Sequence, residues 1–138
     1  MCGIVGIYLK TEKFEKSLGS LLSEMLESME SRGPDSAGFA IYKKENDENF
    51  KYSICINDFD FEDFKEKLNK YIKKFDITKN SDHVVLKTET KPVEVLNILK
   101  NNFKDMSLVG YGKSIEIFKQ VGNPKDVVKK FKLNEYSG

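Results

Sequence analysis

Apolar and polar positions change period along the chain, and the changes mark its elements. Residues 2–9 form a short apolar run with β-branched Ile4, Val5 and Ile7, which predicts a buried strand. Over residues 13–30, Phe14, Leu18, Leu21, Leu22, Met25, Leu26 and Met29 recur at spacings of three and four, so they share one stripe of a helix. Gly19 lies inside that stripe, where glycine costs about 1 kcal/mol against alanine, and so points to a close contact. Arg32-Gly33-Pro34-Asp35-Ser36 stops the helix, because Pro34 disfavours helical backbone at Gly33 and Gly33 tolerates positive φ. Residues 37–42 read as a second strand with small residues at its start. A helix of this length can cross its sheet and return. That length allows the two strands to be neighbours, with the 32–36 loop near the start of the chain.

Residues 44–49 (Lys-Glu-Asn-Asp-Glu-Asn) are polar and read as a linker or turn. Beyond them the period alternates between strand and helix. Residues 50–56 read as a strand, and 59–75 as a helix through Phe61, Phe64, Leu68, Tyr71, Ile72 and Phe75. A strand follows over 83–87, then a helix over 92–103 with Pro92 in its first turn. Residues 106–111 and 114–119 read as strands around a Gly110–Gly112 turn. Asn123 as N-cap and Pro124 at the first helical position open a last helix through Val127, Val128 and Phe131. The order β-α-β-α-β-β-α makes this part α+β, and no internal repeat or low-complexity tract interrupts it. The expected division is residues 1–44 and 45–138.

Composition narrows the class. The 138 residues are 39% hydrophobic, with 10 Phe and 6 Tyr, which is enough to bury a core and excludes a disordered chain. Lys and Arg total 23 against 22 Asp and Glu, a net charge of +1 that argues against binding nucleic acid mainly by charge. No apolar stretch approaches the roughly 18 residues of a membrane span. The first residues carry no signal-peptide pattern. A cytoplasmic protein without membrane or nucleic-acid partners is the default. Cys2 and Cys55 are too few for a disulfide framework or a cysteine-based metal site, so no metal is expected.

Candidate chemistry begins at Cys2. Initiator methionine is commonly removed before a small residue, and its loss would leave a thiol and an α-amine on one residue. The thiolate is a nucleophile, and an amine of pKa roughly 7.7–8.0 can relay its proton near neutral pH. No histidine is then required in a chain whose only one is His83. The alternative is a small apolar residue that opens a strand. Cys55, between Ile54 and Ile56, reads as a packed core thiol. His83 reads as a surface residue without a second ligand. Gly110-Tyr111-Gly112-Lys113 has half the pattern of a phosphate loop and reads instead as a hairpin turn.

Cys2-Gly3-Ile4-Val5-Gly6-Ile7, followed some thirty residues on by Arg32-Gly33-Pro34-Asp35-Ser36-Ala37-Gly38, resembles the N-terminus of class II glutamine amidotransferases, the N-terminal-nucleophile (Ntn) glutaminases. The match is close over residues 2–8 and 31–42. Tyr111 to Ser114 through Val121 to Pro124 is more loosely similar to archaeal-type glutamate synthase glutaminase subunits. The resemblance implies an αββα sandwich whose opening strands and helix lie here, followed by an inserted α+β module. It also implies that Cys2 attacks the side-chain amide of glutamine, ammonia leaves for a synthase partner, and water hydrolyses the thioester to glutamate. Arg32 and Gly33 match the loop lining the bound glutamine, with Asp35 and Ser36 as loop support. No cofactor is implied.

The chain departs from the family in two places. The family has a downstream Gly-His-Thr-Arg-like segment whose arginine holds the glutamine α-carboxylate, and an Asn-Gly pair that supplies oxyanion donors. Here Arg32 is the only arginine, and no Asn precedes a Gly. Each missing donor costs roughly 10²–10³ in rate. The expectation is an opening fragment of a longer enzyme, or a subunit completed by another chain. The alternatives are a non-catalytic assembly or regulatory fragment, and a different Ntn amide hydrolase, against which the Arg32–Ser36 loop speaks.

Overall fold

The computed structural model describes residues 2–44 and 48–138. Met1, whose removal the chemistry at Cys2 requires, lies outside the described residues, as do residues 45–47 of the expected linker. The elements are α1 (Leu18–Glu27), β1 (Ser36–Tyr42), β2 (Phe50–Cys55), α2 (Phe61–Leu68), β3 (Asp76–Asn80), β4 (His83–Thr88), α3 (Pro92–Asn102), β5 (Ser107–Gly112), β6 (Ile115–Val121) and α4 (Pro124–Phe131). Short 3-10 turns precede α1 (Glu12–Ser17) and follow α4 (Leu133–Glu135). The protein is α+β, as expected.

The chain forms two compact units, residues 1–39 with 119–138, and residues 40–118. The crossings fall within β1 and β6, which pair with each other.

In the first unit, α1 packs on α4 and on the 3-10 turn that follows it. Leu18, Leu22, Val127, Val128, Phe131 and Leu133 are buried there. Phe39 meets Phe131 and Tyr136 edge-on, with ring centroids 6.0 and 5.7 Å apart. Gly19 is the close contact its position predicts. A Cβ there would come within 2.6 Å of the Tyr136 carbonyl oxygen, and the Gly19 N–H donates to that same oxygen at 2.9 Å. At the other end of this core, the Asn123 side chain caps α4 by accepting from the Asp126 N–H at 2.9 Å.

The second unit is an antiparallel sheet of order β3-β4-β2-β5. Because side chains alternate along a strand, β2 and β4 send Tyr52, Ile54, Val84 and Leu86 to one face. There they join Phe64 and Leu68 of α2, Ile72, Val95 and Leu99 of α3, and Phe103 in one core. Ser53, Cys55, His83 and Val85 point to the opposite face. The first half of β6 lies over that face: the Ile117 N–H donates to Ser53 Oγ at 2.8 Å, and the Phe118 ring sits 5.9 Å from the His83 ring.

Four expectations need correction. Residues 2–9 form no strand and are not buried: Ile4 is 95% and Tyr8 86% exposed, while Val5, Ile7 and Leu9 are half-buried. They make no ladder with β1, the expected neighbour, whose partner is β6. The helix read over 59–75 ends at Leu68, and β3 occupies residues 76–80 unanticipated. Gly110 and Gly112 are not a turn. They pair with Ser53 and Lys51 as part of β5, and their missing side chains leave room for Ile117 and Ile115. His83 is buried, at 1% exposure, because β6 covers its face of the sheet.

Candidate functional site

The residues singled out around Cys2 all lie in the first unit. After α1 the chain winds through a series of tight turns in which the N–H groups of Arg32 and Gly33 both donate to the Met29 carbonyl, at 2.9 and 3.2 Å. This fixes the Arg32 backbone against the end of the helix. Gly3 is packed against the same place. A Cβ on Gly3 would lie 2.9 Å from Met29 Sδ, 3.4 Å from Arg32 Cβ and 3.5 Å from Arg32 Cδ. The start of the chain therefore runs beside the stem of Arg32. Cys2, the next residue, is exposed with its thiol unbridged.

The remainder of the loop is held through main chain. The Asp35 carbonyl accepts from the Gly122 N–H at 2.9 Å, tying the loop to the chain just ahead of α4. Among the described residues, neither the Asp35 carboxylate nor the Ser36 hydroxyl makes a side-chain hydrogen bond. Gly33 is half-buried, and Arg32, Pro34, Asp35 and Ser36 are exposed. The arrangement thus presents an accessible thiol and a guanidinium with its planar array of donors on adjoining backbone.

Two residues set aside in the sequence form a second grouping, in the other unit. Cys55 and His83 are directly opposite each other across β2 and β4, and Asp82 joins them from the turn before β4. Asp82 Oδ1 lies 2.7 Å from His83 Nδ1. The sulfur, carboxylate and imidazole ligand atoms all fall within 4.8 Å of one another, a spacing that could hold a metal ion. No local motif signals this group, because its members meet only through the antiparallel register.

Over its whole length the chain is 38% identical, across 141 aligned positions, to the "Glutamine amidotransferase-like protein GlxB" of Rhizobium meliloti, and it covers 47% of that protein. This relative and a second one are both named for glutamine amidotransferases. In the second, the "Putative glutamine amidotransferase" of Methanothermobacter thermautotrophicus, 42 residues (30% of this chain and 13% of the relative) are 52% identical. The chain spans about half the length of the first relative. No protein-family model and no solved structure matches it. No helix among the described residues is long and apolar enough to cross a membrane.

Proposed function

We propose that this chain carries the nucleophile of a class II, N-terminal-nucleophile glutamine amidotransferase. Once Met1 is removed, the Cys2 thiolate attacks the side-chain carboxamide carbon of glutamine. The Cys2 α-amine takes the thiol proton and returns it to the departing nitrogen, which leaves as ammonia. Water then hydrolyses the γ-glutamyl thioester, releasing glutamate and the thiol. Arg32 and Gly33 line the glutamine, the first with a rigid fork of donors and the second by close backbone approach. Asp35 supports that loop through its main-chain carbonyl, which accepts from the Gly122 N–H. The oxyanion donors and the α-carboxylate anchor come from beyond these 138 residues. Residues 1–39 then begin an αββα sandwich, and residues 40–118 are a module inserted into it. The ammonia passes, in the cytoplasm, to a synthase partner, with glutamate synthase the favoured acceptor.

The observation that most supports this is the apposition of Gly3 to Arg32, which brings the two matching motifs, some thirty residues apart in sequence, side by side. The likeness to GlxB over the whole chain is in keeping with it. The experiment is Cys2→Ala in the complete protein. Ammonia release from glutamine is expected to fall on the order of 10³-fold or more, with thermal unfolding nearly unchanged because the thiol is exposed. Equal ammonia release by the variant would defeat the assignment.

A further inference from the structure

We propose that Cys55, Asp82 and His83 form a three-ligand site for Zn²⁺, with water in the fourth position. The donor set carries the argument. Thiolate, imidazole and carboxylate are the three side-chain ligands Zn²⁺ takes, whereas Mg²⁺ and Ca²⁺ require oxygen donors. Here all three kinds converge within 4.8 Å. The proposal does not rest on the amidotransferase assignment.

The scaffold is suited to the task. His83 is 1% exposed and held on a central strand between β2 and β3, under the Phe118 ring. The Asp82 main chain is locked to the end of β2, its carbonyl accepting from the Ile56 N–H at 2.8 Å. Cys55 and the Asp82 side chain are partly exposed, the latter at 24%, so an ion can enter from that side. Cys55 Sγ now donates to Asn57 Oδ1 at 3.3 Å, and Asp82 Oδ1 pairs with His83 Nδ1 at 2.7 Å. Tetrahedral Zn²⁺ with bonds of about 2.0–2.3 Å places its ligand atoms roughly 3.3–3.6 Å apart. Side-chain movements of about 1 Å convert the present arrangement into that one. On binding, the Cys55 thiol gives its proton to solvent, Asp82 binds as carboxylate and His83 stays neutral. The ion joins the end of β2 to the tip of the β3–β4 hairpin.

The test is a Co²⁺ titration of the purified chain carrying Cys2→Ala, so that the thiol and amine at the N-terminus cannot chelate. The expected result is one Co²⁺ per chain with a thiolate-to-cobalt charge-transfer band, displaced on adding Zn²⁺. Cys55→Ser is expected to abolish the band, and Asp82→Asn to weaken Zn²⁺ binding at least tenfold. Both side chains are partly exposed, and circular dichroism checks that both variants keep their fold. Absence of stoichiometric uptake, or uptake unchanged by Cys55→Ser and Asp82→Asn, would overturn the proposal. Neither result bears on ammonia release, so failure here and failure of the glutaminase assignment are distinct.

Discussion

Residues 2–9 and β2 are both short runs rich in apolar side chains, yet Ile4 and Tyr8 are 95% and 86% exposed whereas Tyr52 and Ile54 are completely buried. The difference lies in what surrounds them. β2 has a hydrogen-bonded strand on each side, with the helical core on one face and β6 on the other. Residues 2–9 pair with no strand among the described residues. Apolarity states what a segment can bury, and the partner decides whether it does. The two cysteines follow the same division. Cys2 is exposed in the first unit, while Cys55 is half-buried on a central strand of the sheet. A reactive nucleophile suits the first setting and a structural ligand the second.

Substitutions can sharpen or break this contrast. Phe64 is completely buried in the core of the sheet unit, so Phe64→Ala is expected to cost about 3–5 kcal/mol in urea unfolding. A loss under about 1 kcal/mol would mean that this core is not what holds the unit. In the other unit, Gly19→Ala drives a methyl into the backbone of Leu133 and Tyr136. Overpacking of that kind costs about 1–3 kcal/mol, and chemical denaturation followed in the α1–α4 unit should show it.

Burial, then the neighbouring Tyr111 and Glu94, pushes the Tyr52 hydroxyl up to about 12. It donates to the Thr90 carbonyl at 2.6 Å. Because the folded state keeps this proton after the unfolded chain has lost it, the stabilisation is intact below pH about 10 and lost as pH rises toward 12. The loss is at most about 1.4 kcal/mol per pH unit. Stability of the native protein relative to Tyr52→Phe should fall through that window, and a flat difference would show that Tyr52 ionises normally. The smallest effect belongs to the exposed run. Ile4→Ala should change stability by less than about 0.5 kcal/mol, and a core-sized loss there would erase the contrast.

Much of the fold is legible in the residues themselves. The stripe from Leu18 to Leu26, the strand at 37–42, the Asn123–Pro124 helix start and the close contact at Gly19 all follow from local rules. β3 is not legible, because an edge strand with only Ile77 and Asn80 partly covered carries no alternating pattern, and the helical spacing ahead of it runs on to Phe75. The buried face around His83 is hidden for a different reason. Its cover comes from β6, more than thirty residues away, and no local pattern reports a long-range lid. The candidate site divides likewise. Cys2 and Arg32 are visible as motifs, but Gly3 lying on Arg32 and Cys55 facing His83 arise only when the chain folds.

The central claim is that the second residue becomes the reactive end of the chain. It is tested most directly by treating the mature protein with an electrophilic glutamine analogue and mapping the adduct by mass spectrometry. The account predicts a single modification on Cys2, on a chain from which Met1 has been cleaved. A retained Met1, or an unmodified Cys2 in protein whose Cys55 reacts with general thiol reagents, would contradict it.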